Sequence, residues 1–219
     1  PLVSEFSRLE KYYAEEAWTW ELMALTRARI VVASDDFSAI IQELFCRTLC
    51  DVRDPNKLAS QVSKMHRKVF SEKGELDIWQ IKNVAGGLFD LEFIIQYLLL
   101  RDSSATPTIL NSNTIEALKN ISGSGAISLE LGTSLLKAGE LFIDLQAIMR
   151  IALSGKFSEN EALDGLRHIL VRASGAFDFD DLKGRLAAAE QLVTEQLTSI
   201  IHEPAETYDA GEIKKNRNR

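Results

Sequence analysis

Apolar residues recur at three- and four-residue intervals along almost the whole chain, the period of one buried face of an α-helix. In "FSAIIQELFCRTLC" the residues Phe37, Ile40, Ile41, Leu44, Phe45 and Leu49 form one stripe, opened by Asp35 and Asp36. Leu58, Val62, Met65 and Val69 form a second, with Asp54 as cap and Pro55 in the first turn. Ser7 and Glu10 have capping-box spacing ahead of "KYYAEEAWTWELMAL", and "TWELMALTRARIVV" continues as a further helical stretch. The pattern breaks after Phe70 in "SEKGELDIWQIK", which is too mixed to assign. Beyond it, Asn113 caps a short helix through Ile121, and "SGSG" at 122–125 reads as a turn. Three more helices follow at about 128–153, 159–173 and 178–201. With no strand pattern of useful length, the fold class is all-α. The expected architecture is a bundle of about seven to nine helices. Residues 1–203 form the helical domain, divisible into sub-bundles at 1–110 and 111–203, and 204–219 are expected to be a disordered basic tail.

The stretch "IKNVAGGLFDLEFIIQYLLL", 81–100, stands out against this background. Residues 88–100 are apolar nearly all round, which predicts the central buried helix. Asp90 and Glu92 diverge by roughly 200° on that helix, so they cannot converge on one metal ion, whereas Glu92 and Gln96 share a face. Gly86 and Gly87 permit a sharp turn where a helix start exposes unpaired N–H groups and positive dipole charge. With Lys82 nearby, that arrangement could hold a phosphate or an acidic loop, while Asp90 and Glu92 bond to a neighbouring domain. It could equally be a helix entry turn with internally paired acids. The spacing matches neither a dinucleotide fingerprint nor a P-loop.

Composition narrows the function classes. The 219 residues carry a net charge of −7, and Lys214, Lys215, Arg217 and Arg219 make the last six residues +4, leaving −11 for the rest. An acidic body argues against nucleic acid as a partner. No apolar run reaches the roughly 18 residues needed to span a membrane, and the first ten residues lack the apolar stretch of a signal peptide. Cys46 and Cys50 are the only cysteines, too few for a disulfide scaffold, and are expected to be buried thiols of a cytoplasmic protein. His66, His168 and His202 have no metal-ligand spacing and read as core or surface residues. Trp18 and Trp20 point to different faces of a helix, so at least one is expected in the core. Arg27 and Arg29 diverge in the same way. Pro1 in first place fits either removal of a methionine or an origin within a longer chain.

Two blocks carry a resemblance to a known family. Glu16, Ala17, Trp18, Thr19, Trp20 and Glu21 with Arg27, Ala28 and Arg29 make the first. Lys82, Gly86, Gly87, Asp90, Glu92, Phe93, Gln96, Tyr97 and Leu98 make the second. Together they resemble the helical domain that follows the C-terminal nucleotidyltransferase domain in the bifunctional glutamine synthetase adenylyltransferases. The likeness covers about residues 6–118. It implies a parent enzyme that uses ATP and magnesium to transfer AMP to a tyrosine of glutamine synthetase and removes it by phosphorolysis, under control of the PII signal protein and glutamine. The family's G-x-S-D-x-D and R-L-R-P motifs do not occur in this chain. The chain alone is therefore expected to be inactive and to bind no cofactor, and to serve the nucleotidyltransferase domain in cis by closing the cleft, docking glutamine synthetase or relaying regulation. The resemblance implies that Lys82, Gly86 and Gly87 face the nucleotide or that domain, and that Arg27 and Arg29 hold acidic loops or phosphates. Two alternatives stay open: the equivalent domain of a PII uridylyltransferase, which has a similar G-G-L-x-D segment, and a free-standing helical interaction module.

Overall fold

Capping side chains fix where half of the helices begin. Ser34, Asn113, Ser128 and Asp178 each accept a hydrogen bond from an amide of the turn they precede. Asp54 Oδ1 accepts from the amides of Asn56 and Lys57 at 2.9 and 2.8 Å. The computed structural model describes residues 4–71, 77–160 and 162–217. Among these, the regular elements are all helical: α1 (Phe6–Glu15), α2 (Thr19–Leu25), α3 (Asp35–Leu49), α4 (Pro55–Ser71), α5 (Leu88–Asp102), α6 (Thr114–Ser124), α7 (Leu129–Ala152), α8 (Asp164–Ser174), α9 (Phe179–Leu197) and α10 (Glu203–Arg217). A 3₁₀ turn lies at Pro107–Ile109, and a π turn at Thr198–His202 fuses α9 and α10 into one rod. No helix among the described residues is long and apolar enough to cross a membrane.

α5 is the axis, as its all-round apolarity predicts. Leu91, Ile94, Leu98 and Leu100 have no exposed surface, and α2, α4, α6, α7 and α9 all pack on it. One cluster of buried apolar side chains runs from Met23 to Ala205. Each fully buried leucine of this kind contributes about 1.5–3 kcal/mol. The far end of α5 is tied to α3: Ser103 Oγ donates to the Leu49 carbonyl at 2.7 Å, and the Arg53 guanidinium donates to the carbonyls of Thr48, Leu49 and Asp51. These bonds satisfy carbonyls that the end of α3 would otherwise leave unpaired.

Several boundaries differ from the sequence expectation. α1 starts at Phe6, so Ser7 lies inside it, and the carboxylate cap occurs instead at the next helix, where Glu21 Oε2 accepts from the Trp18 amide at 2.8 Å. α2 stops at Leu25 rather than continuing to Val32. Thr26 Oγ1 bonds the Met23 carbonyl, the chain tightens through Ala28, and the β-branched run Ile30–Val31–Val32 stays out of the helix. Because Trp18 is the extended N-cap and Trp20 lies in the first turn, both indoles are exposed, at 71% and 53%. α6 runs through Gly123 to Ser124, and the turn proper is the left-handed Gly125. Cys46 is exposed and Cys50 half-buried, with their sulfurs 3.8 Å apart. α8 begins at Asp164, and Glu159, expected to open it, lies before the helix and is held by Trp79 Nε1 and Lys183.

The largest departure is at the C-terminus. Residues 204–217, expected to be disordered, are helical in α10 and pack along α4. Pro204 has no amide to donate and would crowd the carbonyl four residues back, so a regular helix should stop there. The preceding π turn absorbs the mismatch and keeps the rod going. It turns Ala205 onto α4, while Ser60 and Lys64 bond Asp209 and Arg67 bonds Glu206. Exposed pairs like these contribute under about 1 kcal/mol each, so apolar contact holds the helix down. Ala205→Glu should therefore detach α10 and lower stability by about 2–4 kcal/mol in urea unfolding, whereas Asp209→Asn should change it by less than about 1 kcal/mol.

Candidate functional site

The second sequence block folds as a turn-rich lead-in to α5. Amides of Gln80, Asn83, Val84 and Gly87 bond carbonyls three or four residues back, and those of Leu88 and Phe89 bond the carbonyls of Ile81 and Lys82 at 2.8 and 3.1 Å. The first amides of α5 are thus engaged by the chain's own loop. The glycine pair faces inward. Gly86 has φ +76°, and a Cβ there would lie 1.9 Å from the Glu190 carbonyl oxygen of α9; one on Gly87 would lie 2.2 Å from the Ile81 oxygen. The pair is required for backbone to meet backbone, and it leaves no open cradle for an anion.

Asp90, in the first turn of α5, is also internal, with 2% exposure. One carboxylate oxygen accepts from the Gly86 amide at 2.7 Å, and the other meets Nε2 of the buried His66 on α4 at 2.8 Å. His66 is stacked on Phe70, lies edge-on to Phe93, and sits 5.1 Å from the ring of His202 in the π turn. His202 Nδ1 pairs with Ser63 Oγ at 2.8 Å. Burial, with His66 and Arg67 beside it, pushes His202 below its ordinary pKa. This network joins α4, α5 and the α9–α10 rod through the glycine loop.

The remaining candidates lie outside this hub. Glu92 accepts from Arg27 Nη1 at 2.5 Å, a half-buried pair joining the end of α2 to α5, and it lines one crevice with Gln96. Arg29 is exposed on the rim of a separate hollow formed by Ile30, Val31, Gln42 and Phe45. Lys82 is exposed beside the Trp79–Phe157 pair, in a cleft it shares with Arg150 and Lys156. The seven candidates therefore occupy four places. No group of three or more His, Cys, Asp or Glu residues able to hold a metal lies among the described residues. Asp90 is engaged at both oxygens and Glu92 is paired with Arg27, so these residues do not fit a magnesium–triphosphate group.

Comparison with known proteins accounts for the two sequence blocks. The family described as Glutamate-ammonia ligase adenylyltransferase matches residues 1–43. The protein from Bradyrhizobium sp. (strain BTAi1) named Bifunctional glutamine synthetase adenylyltransferase/adenylyl-removing enzyme is 38% identical over 203 residues, which is 93% of this chain and 21% of the relative. Proteins of the same name from Rhodopseudomonas palustris (strain BisB5) and Xanthobacter autotrophicus are 39% and 34% identical, over 85% and 94% of this chain and 19% and 21% of themselves. Over most of its length the chain is similar to a part of these adenylyltransferases. It spans about a fifth of the length of the curated relatives it matches.

One residue of the chain escaped the sequence reading. Glu190 lies on the buried face of α9, in line with Leu182, Leu186, Val193 and Leu197, with 7% exposure and a carboxylate Oε1 that has no hydrogen-bond partner. Its position four residues after Leu186 on an otherwise apolar stripe was the available signal. Burial, reinforced by the negative charge of Asp77, raises its pKa from 4.5 to about 7. Between those values the folded chain holds a proton that the unfolded chain has released. The corresponding stability is complete below pH 4.5 and lost as pH rises through 7.

Glu190→Gln should accordingly stabilise the segment by about 1–3 kcal/mol at pH 8 and leave it unchanged at pH 4, read by chemical denaturation at the two pH values. Gly86→Ala adds a Cβ that meets the α9 carbonyl and forces a side chain into left-handed backbone. It should cost at least about 2 kcal/mol, seen as a lowered melting temperature.

Proposed function

We propose that the chain is the helical, non-catalytic domain of an enzyme that transfers AMP from ATP to a tyrosine of glutamine synthetase and removes it by phosphorolysis, so regulating nitrogen assimilation. The observation that carries this reading is the 34–39% identity to bifunctional adenylyltransferases along 85–94% of the chain. ATP and magnesium are bound by other parts of that enzyme, in the cytoplasm, and the PII protein sets the balance of its two activities. The helical domain closes one side of the active cleft and helps to dock glutamine synthetase.

A second feature supports a covered surface. Trp18, Trp20, Val31, Val32, Phe37 and Ile40 are all exposed large apolar residues within the 1–43 segment that the family match spans. Such a concentration of apolar surface suits a contact with the nucleotidyltransferase domain in cis. Within this reading, Arg29 and Lys82 are the candidates whose side chains are free to reach that domain or its nucleotide. Arg27 and Glu92 instead brace α2 against α5, and Gly86, Gly87 and Asp90 hold the loop.

The test is made in the full-length enzyme. Arg29→Ala with Lys82→Ala should lower AMP transfer to glutamine synthetase about tenfold, with the melting temperature unchanged, because each loses a charged contact of roughly 1–2 kcal/mol. Transfer, removal and the KM for ATP all remaining at their parental values would sink the assignment of these two residues.

A further inference from the structure

Many of the basic side chains of this acidic chain are engaged. Arg27 pairs with Glu92, Lys64 with Asp209, Arg67 with Glu206, Arg101 with Asp102, and Lys183 with Glu159. Lys82, Arg150 and Lys156 are among those that are not: among the described residues, none of their side chains makes an ion pair or hydrogen bond. All three line the same open cleft, of about 360 Å³. They reach it from three segments, namely the loop before α5, the last turn of α7 and the strap that follows α7.

Of the negative groups nearby, Asp77 also lines the cleft and makes no ion pair among the described residues, so the three cations leave it a net charge of about +2, whereas Glu159 is paired. Asp77 Oδ1 accepts from the Trp79 amide at 3.3 Å, and Glu159 is held by Trp79 Nε1 and Lys183. A cation at the end of α7 complements the helix dipole, which accounts for Arg150 but not for Lys82 or Lys156. With three cations against the one carboxylate of Asp77 the cleft keeps an excess of positive charge, and a multivalent anion placed between the cations is attracted to it. The cleft is floored by Trp79 and Phe157, both buried, with ring centroids 4.6 Å apart. Its size is that of small-molecule pockets, which combine an apolar floor with a few convergent polar groups.

We propose that this cleft binds the phosphate group of a small ligand, with Lys82, Arg150 and Lys156 as counter-charges and the Trp79–Phe157 floor under whatever the phosphate carries. A phosphate monoester supplies close to two negative charges and three acceptor oxygens, which suits two lysines and a forked guanidinium better than a single carboxylate does. The proposal does not depend on adenylyl transfer and is tested on the chain alone, so its failure and that of the enzymatic reading are separate results.

The experiment is calorimetric titration of the chain at low salt with inorganic phosphate, AMP and adenosine. The expected result is saturable binding of AMP with a Kd below about 1 mM, and no saturable binding of adenosine. Phosphate binding as tightly as AMP assigns the site to free phosphate; AMP binding more tightly assigns it to a nucleotide monophosphate. Both results uphold the proposal. Lys82→Ala combined with Lys156→Ala should weaken AMP about tenfold or more without lowering the melting temperature, and Lys119→Ala, remote from the cleft, should leave binding unchanged. The proposal is overturned if neither phosphate nor AMP saturates by about 10 mM, if adenosine binds as AMP does, or if the double variant binds AMP as the parent does.

Discussion

Asp90 carries a carboxylate into a site with 2% exposure, and the packing of four segments follows from satisfying it. An ion of this kind left unpaired in the interior costs several kcal/mol. Here one oxygen takes the Gly86 amide, the other takes His66, and the positive end of the α5 dipole lies beneath it. Each partner then constrains its own neighbourhood. For its amide to point at Asp90 while its Cα rests against the Glu190 carbonyl, Gly86 must adopt positive φ, where no Cβ is tolerated. His66 brings α4 to α5 and, through His202, meets the π turn. The glycine loop, α4, α5 and the α9–α10 rod are thus fixed by one buried charge.

That constraint explains why a motif resembling a ligand cradle is in large part a packing device. A double glycine before a helix can expose amides to a phosphate, but here the loop's own carbonyls take the first amides of α5. The acids of the motif divide by their angular separation: Asp90 turns inward to histidine, and Glu92 turns toward Arg27. Only residues whose backbone is held by the loop and whose side chains leave it, Lys82 foremost, are left for chemistry at the surface.

Much of the fold was legible in the sequence because helix periodicity and caps are local signals. The stripe of α4, the cap at Asn113, the helix starts near 128 and 178, and the central place of α5 all follow from neighbours within a few residues, whereas Phe37 and Ile40 of the α3 stripe stay exposed. The misreadings arise where a non-local partner decides. Nothing adjacent to Pro204 reveals that a π turn will carry the helix past it onto α4. Trp18 and Trp20 were read by helical angle, but the helix begins between them and both remain outside the core. The candidate site was legible as a set of residues and illegible as a place. Whether Gly86 faces a ligand or α9 depends on a carbonyl more than a hundred positions away.

The same hub shapes what the surface around it can recognise. The Lys82 carbonyl accepts from the Phe89 amide at the start of α5, so the root of this lysine is as fixed as the helix itself, while its side chain stays solvated. Lys156 is anchored by the adjoining Phe157, which is buried against Trp79, and Arg150 stands on the last turn of a 24-residue helix. Three cations whose attachment points are rigid and whose side chains are unpaired lose only side-chain freedom when an anion arrives. That loss is about 0.5–1.5 kcal/mol for each ordered side chain, less than the charge-assisted bonds it permits. An interior that consumes its own acids, glycines and helix-start amides is what leaves such a set of positive groups available in a chain whose net charge is −7.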